Sequence, residues 1–158
     1  MKLLMEDEKM KIGEVINWNA VDFDLEAADK AEALEKVCEM LYRDGSITSA
    51  EEFIRDVYLR ESEGHTGIGG GIAIPHGKSE VVARTCISIA RLKKPIAWET
   101  VDGEPVRVII LFAVGVRDKN SYFVKLMSQV ARMLARPGVC EQLTMCTSQQ
   151  KLSEILGG

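Results

Sequence analysis

The 158-residue chain is 46% apolar and 28% charged, which are the proportions of one ordinary soluble domain. This excludes an intrinsically disordered tail and a two-domain enzyme, and a core of this size needs neither disulfides nor a metal. The net charge of -4 comes from interspersed acidic and basic residues, so no nucleic-acid-binding surface is predicted.

The cysteine spacing indicates a reduced compartment, and the hydropathy pattern indicates a chain that does not span a membrane. No apolar run approaches the roughly 20 residues that cross a bilayer, and no secretory leader is recognised. We therefore expect a cytoplasmic protein that does not itself span a membrane. The cysteines occur at wide, irregular spacings without a C-x-x-C pair: Cys38, Cys86, Cys140 and Cys146.

Two helices are predicted in the first part of the chain. One runs from about Asp29 to Arg43, where Asp29 and Glu32 resemble a capping box. The second begins after Ser49 and reaches Glu61, with apolar residues at helical spacing. The apolar stripe of the first helix is predicted to be Ala31, Leu34, Val37, Cys38 and Leu41.

Beyond Gly64 the pattern changes to loops and strands. Residues 64–78 contain six glycines in 15 positions, which predicts a loop with a short strand, Ile72–Ile74. Residues 85–92 and 106–114 are rich in β-branched side chains and are predicted strands. Helices are predicted at 121–135, with Phe123, Met127, Val130, Ala131 and Leu134 along one side, and at 151–156.

This order of elements predicts an α/β fold. The strand at 106–114 is apolar on both faces, so it belongs in the middle of a covered sheet. We predict a single domain, residues 11–158, with a mixed central β-sheet flanked by helices on both faces. Residues 1–10, rich in Met and charge, are predicted to be a flexible leader.

The glycine-rich segment fits none of three common ligand-binding motifs. A P-loop ending at Gly77-Lys78-Ser79 would need glycine where Ile72 stands. A dinucleotide fingerprint starting at Gly67 or Gly69 would need glycine at 72 or 74, and both positions are isoleucine. Only two histidines and scattered thiols could serve zinc, without a usual ligand spacing, so no metal is predicted.

The segment does place one histidine in a defined position. His76 lies between Pro75 and Gly77 at the end of the predicted short strand. Pro75 restricts its own φ and favours an extended conformation for Ile74, so the imidazole should be presented rather than buried. The alternative is a loop histidine that caps a carbonyl.

Nearby residues could bind an anion at this imidazole. Arg60 ends the preceding helix, and a guanidinium is a good partner for a phosphoryl group. Thr66 could donate its hydroxyl. The backbone N–H groups of four glycines could form an anion-binding concavity: Gly67, Gly69, Gly70 and Gly71. The alternatives are a solvated arginine, a threonine bonded to its own backbone, and glycines that only make turns.

The run RESEGHTGIGGGIAIPHGK, from Arg60 to Lys78, resembles the signature of EIIA domains of the bacterial phosphotransferase system, in the fructose/mannitol class, EIIA type 2. Asp44-Gly45 with Ile47, Ile96 with Trp98, the stretch DGEPV at 102–106 and the strand VIILFAV extend the resemblance over about residues 11–156.

The resemblance implies a histidine phosphocarrier. Such a domain accepts a phosphoryl group from phosphohistidine on HPr and passes it to a cysteine of EIIB for uptake of a fructose-, mannitol- or galactitol-type sugar. The membrane component EIIC is then an indirect partner. By motif position His76 is the phosphorylated residue and Arg60 lies beside it; no cofactor is implied. One alternative is a regulatory module of the nitrogen-related branch, and another is an unrelated domain without chemistry.

The sequence departs from the family pattern at one position. Many members carry a second histidine early in the helix after the VIILFAV strand, and the aligned position here is Phe123. His65 could compensate for the missing imidazole. The residues leave open the sugar, the EIIB partner and the oligomeric state.

Overall fold

The computed structural model describes residues 11–157, which contain six helices and six strands. The predicted leader, residues 1–10, lies outside the described residues. Among residues 11–157 no helix is both long and apolar enough to cross a membrane. In chain order the elements are α1 (Ile12–Val15), β1 (Ile16–Leu25), α2 (Lys30–Arg43), α3 (Ala50–Glu63), β2 (Gly67–Gly69), β3 (Ile72–Ala73), β4 (His76–Ser79), β5 (Cys86–Ile96), β6 (Val106–Gly115), α4 (Asn120–Ala135), α5 (Val139–Thr144) and α6 (Gln149–Gly157).

The strands form one mixed sheet. Its order is β1-β5-β6-β3-β2, and β4 also pairs with β6. β1 runs parallel to β5, β5 is antiparallel to β6, and β3 and β4 are both parallel to β6. β3 and β4 therefore follow each other along β6, separated only by Ile74 and Pro75.

Helices cover both faces of this sheet. α2 and α3 pack on one face, and α1, α4, α5 and α6 pack on the other. Along β6, Ile109 and Leu111 belong to the first core, whereas Ile110 and Phe112 belong to the second. The predicted α/β fold with a mixed sheet flanked on both faces is thus confirmed. Double coverage explains why β6 is apolar from Val108 to Val114.

The two predicted helix starts are also confirmed. The Asp29 side chain accepts a hydrogen bond from the Glu32 N–H at 2.9 Å, and Ser49 accepts one from the Glu52 N–H at 3.2 Å. Each bond satisfies a backbone donor that the first helical turn leaves without a partner. α3 in particular begins and ends close to its predicted limits, so its last turn lies directly before the glycine-rich segment.

Some elements were not predicted. β1 was missed although residues 16–19 and 21–25 each alternate apolar and polar side chains, because the alternation changes phase at Ala20, within the interval where its pairing with β5 shifts register. α5 was missed because it starts at once after the Pro137-Gly138 stop. Two predicted core alanines, Ala31 and Ala131, are exposed. The helix stripes instead bury Ala33, Leu126 and Met133.

Candidate functional site

The glycine-rich segment folds into a hairpin followed by a short strand. β2 and β3 are antiparallel and are joined by a turn in which Gly69, Gly70 and Gly71 have φ of 93°, 66° and 82°. β4 then begins at His76, which lies opposite Phe112 on β6. The predicted strand at Ile72–Ile74 is present as β3, and the histidine follows it as expected.

Gly77 allows the strand that carries His76 to lie against α3. A Cβ atom at this position would stand 3.0 Å from Phe53 and 3.0 Å from Val57. Contacts this short force neighbouring atoms to move, so only glycine fits without a shift. The close approach fixes the backbone of β4 on the helix whose last turn contains Arg60.

The His76 ring is half-buried between aromatic side chains. Its centroid lies 6.4 Å from that of Phe112 and 5.2 Å from that of Phe123 on α4. The prediction that the ring is presented rather than buried is therefore only partly right. The strand start does leave the ring accessible, but two phenyl rings cover part of it.

One ring nitrogen of His76 has a defined partner. Nδ1 lies 3.2 Å from the carbonyl oxygen of Ile74. Because a carbonyl oxygen only accepts, Nδ1 carries the proton and Nε2 keeps its lone pair. The carbonyl contact anticipated for an ordinary loop histidine is thus present, and it also prepares Nε2 as a nucleophile.

The surroundings of His76 favour its neutral form. Burial lowers the pKa of the imidazole below its ordinary value, and the positive charge of Arg60 lowers it further. The hydrogen bond to Ile74 and the charges of Glu61 and Glu63 oppose this without reversing it. A neutral ring at neutral pH is the form that can act as a nucleophile.

Arg60 lies in the last turn of α3. Its Nη1 donates to the carbonyl oxygen of Gly64 at 2.8 Å. A guanidinium has five N–H donors, so others remain for a ligand. Burial is the main cause of the lowered pKa of His76, and the positive charge of Arg60 adds to it. The role of Arg60 beside His76 stays a prediction.

Thr66 has a different partner from the predicted one. It is 3% exposed, and its hydroxyl donates to Oε1 of Glu61. Its carbonyl accepts from the N–H of Ile74 at 2.9 Å. The hydroxyl proton is therefore committed within the protein rather than offered to a ligand.

The structure does not bring the turn glycines to His76. The Gly71 carbonyl accepts from the N–H of Val108, which lies four residues before Phe112 on β6, about 13 Å away along the strand. The Gly70 N–H donates to the Asp102 carboxylate at 3.0 Å. The predicted anion-binding role of Gly69, Gly70 and Gly71 is corrected on this geometry.

Gly67 is closely packed against the backbone at Glu99, whereas His65 is exposed. A Cβ on Gly67 would stand 2.5 Å from the Glu99 carbonyl oxygen, so this glycine permits close backbone approach. The hydrogen bond to Lys30 is the main cause of the lowered pKa of Glu99, and the exposed His65 adds a small part. Within residues 11–157 it makes no hydrogen bond or ring contact with His76, so the predicted compensation has no contact to support it.

The comparison with protein families shows to which family the chain belongs. The family described as "Phosphoenolpyruvate-dependent sugar phosphotransferase system, EIIA 2" matches residues 14–157. The chain belongs to this family. The resemblance inferred from the glycine-rich signature is thereby confirmed, and phosphotransfer is the chemistry of the family.

Individual EIIA relatives have different roles. The 2-O-alpha-mannosyl-D-glycerate-specific EIIABC component of Escherichia coli is 32% identical over 128 residues, which are 80% of this chain and 20% of that protein. The crystal structure of nitrogen regulatory protein IIA-Ntr from Neisseria meningitidis has a TM-score of 0.83 at 27% identity, covering 92% of this chain and 98% of that one. In a complex of enzyme IIAMTL with phosphorylated enzyme IIBMTL from E. coli, a chain matches with a TM-score of 0.75 at 21% identity, covering 90% and 97%.

In this EIIA domain the structure also shows the surroundings of Phe123. Phe123, which is predicted to stand at the position of the second family histidine, lies beside His76 and meets Phe112 edge to face, with centroids 6.2 Å apart. A phenyl ring cannot donate a hydrogen bond, so it gives burial where an imidazole would give polar support. Sequence reasoning missed the contribution of Phe112, although the alternation of β6 could have placed it on this face.

Proposed function

We propose that this EIIA domain is a histidine phosphocarrier. It accepts a phosphoryl group from phospho-HPr on His76 and passes it to a cysteine of an EIIB domain in sugar uptake. The observation that carries the proposal is the hydrogen bond between Nδ1 and the Ile74 carbonyl, which leaves the Nε2 lone pair for attack. The complex of a mannitol EIIA of the same fold with phosphorylated EIIB supports the choice of acceptor.

In the first step the Nε2 lone pair attacks the phosphorus of phosphohistidine on HPr. The new N–P bond forms as the bond to the HPr imidazole breaks, and that ring recovers its own lone pair. The His76 ring keeps its Nδ1 proton and gains positive charge. The Ile74 carbonyl oxygen faces that proton and stabilises the charged ring. The imidazole is itself the nucleophile, so the step requires no metal in principle.

Arg60 is assigned to the transferred group. During transfer the negative charge spreads over the phosphoryl oxygens, and a guanidinium positioned beside them stabilises it. Arg60 is anchored by the Gly64 carbonyl, so its charge is held in place before a partner arrives. Burial lowers the pKa of His76, and the same charge lowers it further.

The second step reverses the first with a different partner. A thiolate of EIIB attacks the phosphorus, the S–P bond forms, and the N–P bond breaks. The electron pair returns to Nε2, and His76 is again neutral with its proton on Nδ1. The ring thus ends each cycle in the state in which it began, and no other acid or base is required.

A regulatory role is the second candidate. The likeness to nitrogen regulatory protein IIA-Ntr, with a TM-score of 0.83, favours it. Phosphorylation at His76 would then change which partner the domain binds. Capture experiments with phosphorylated and unphosphorylated protein distinguish the two: an EIIB domain indicates transport, whereas a kinase or transcription regulator indicates signalling.

The proposal is tested by phosphorylation in a defined mixture of phosphoenolpyruvate, enzyme I and HPr. The protein should acquire acid-labile phosphate, and His76→Ala should abolish it while the circular dichroism spectrum stays unchanged. The matched control is His65→Ala, which removes the other histidine of the chain. Labelling of His76→Ala at the rate of the unmodified protein would refute the assignment.

A further inference from the structure

Glu61 is a buried carboxylate next to the proposed phosphorylation site. It follows Arg60 in α3, and its side chain is only 5% exposed. Burying a charge is costly unless the charge is fully paired. Oε1 accepts from the Thr66 hydroxyl, and Oε2 lies 2.8 Å from Nζ of Lys30. Both carboxylate oxygens are therefore engaged, one by the loop before β2 and the other by α2.

Lys30 completes this cluster from the start of α2. It also contacts Oε2 of Glu99 at 2.8 Å and lies 4.8 Å from the ring centroid of Trp98. Burial disfavours the charged lysine, but the hydrogen bonds to the two glutamates outweigh this and raise the pKa of Lys30. Glu99 is the exposed end of the cluster, with 67% of its side chain accessible.

A continuous chain of hydrogen bonds leads from Glu61 to the imidazole. The Thr66 hydroxyl is held by Glu61, and the Thr66 carbonyl accepts from the Ile74 N–H at 2.9 Å. The carbonyl of the same Ile74 faces Nδ1 of His76 at 3.2 Å. Displacement of Thr66 would thus move Ile74, whose carbonyl oxygen decides which ring nitrogen of His76 carries the proton.

We infer that Glu61 is a positioning residue for His76: by holding Lys30 and the Thr66 hydroxyl, it fixes the hairpin backbone that keeps the proton on Nδ1. The inference rests on the proposed function and deepens it. It assigns Thr66 to the support of the Ile74 carbonyl rather than to the phosphoryl group. Glu61 acts through the backbone and does not touch the transferred group.

The test replaces Glu61 by a residue of the same shape. Glu61→Gln has one acceptor oxygen where two groups donate, so at least one contact must break or reverse. Two quantities are measured: the initial rate of phosphate uptake from phospho-HPr, and the tautomer of His76 from the ¹⁵N signals of its ring. We expect the rate to fall at least about tenfold and the Nδ1-protonated form to lose its dominance. Unchanged rate and tautomer would overturn the inference.

Glu99→Gln is the matched control. It removes the same charge from the same lysine but at the exposed end, and it should change neither quantity. An equal effect of Glu99→Gln would overturn the inference, because the charge on Lys30 rather than the hold on Thr66 would then be responsible. A purely structural role of Glu61 would lower the melting temperature without changing the tautomer, which also counts against positioning.

Thr66 provides a second route if Glu61→Gln does not fold. Thr66→Val keeps the volume and removes the hydroxyl, whereas Thr66→Ser restores it. A slower rate in the valine variant, largely recovered in the serine variant, supports the inference; equal rates in both refute it. The proposed function fails separately, if His76→Ala still takes up phosphate.

Discussion

The two ends of the glycine-rich segment use glycine in different ways. At Gly69, Gly70 and Gly71 the chain turns with positive φ beside Asp102 and α5. At Gly77 the backbone has ordinary dihedrals, and the missing Cβ lets β4 approach α3. The first end builds a hairpin, whereas the second places His76 between Ile74 and the aromatic rings. A glycine-rich signature therefore does not imply that its glycines bind the ligand.

The largest expected effect is at Arg60, and it distinguishes this residue from another arginine of α3. Arg60→Gln should lower the initial rate of phosphate uptake from phospho-HPr by about 100-fold, because one charged donor to the phosphoryl group is lost. Arg55→Gln is the control, since Arg55 is an exposed arginine one and a half turns earlier in the same helix. Comparable losses in both variants would show that general surface charge, rather than Arg60, is responsible.

Alanine substitution at the two kinds of glycine sharpens the comparison. Gly77→Ala should cost about 1–3 kcal/mol of unfolding free energy through overpacking against Phe53 and Val57, and should slow phosphate uptake because His76 moves. Gly71→Ala should cost about 1–2 kcal/mol through its positive φ and leave the rate unchanged. Urea unfolding and the uptake assay measure both quantities. A large rate loss in Gly71→Ala would show that the turn contributes to the site after all.

The pH dependence of phosphate uptake tests the electrostatic surroundings of His76. Protonation of Nε2 blocks attack, so the rate must fall as the pH drops through the pKa of His76. Burial and Arg60 lower that pKa, which puts the acid limb below the ordinary value of about 6.5. Arg60→Gln should move the limb to higher pH, since a positive neighbour is removed. A limb above 6.5 in the unmodified protein would contradict this.

The smallest effect concerns the phenyl ring of Phe123, which lies beside His76. Phe123→Ala should raise the pKa of His76 toward its ordinary value, because the ring loses part of its cover. The ring contact is worth only about 0.5–1.5 kcal/mol, so the change in rate should be small. Titration of His76 by NMR gives the pKa, with Val124→Ala, at an exposed position on the same helix, as the control.

Local patterns in the sequence predicted much of this structure. The capped helices and the doubly covered strand β6 depend on neighbours a few residues apart, and the position of His76 after a short strand depends on one well-defined motif. The irregular register of β1 and the partners of Thr66 and Gly70 depend on contacts across the sheet, which a single sequence does not reveal. Glu61 belongs to the motif, but its role could be inferred only after the structure had placed Lys30 and Ile74.

The central claim is that Nε2 of His76 accepts the phosphoryl group because Nδ1 is committed to Ile74. NMR of the ¹⁵N-labelled protein after phosphorylation by phospho-HPr measures which nitrogen is bonded to phosphorus. We predict ³¹P–¹⁵N coupling at Nε2 of His76, with the proton still on Nδ1. Phosphorus on Nδ1, on His65 or on another side chain would contradict the account.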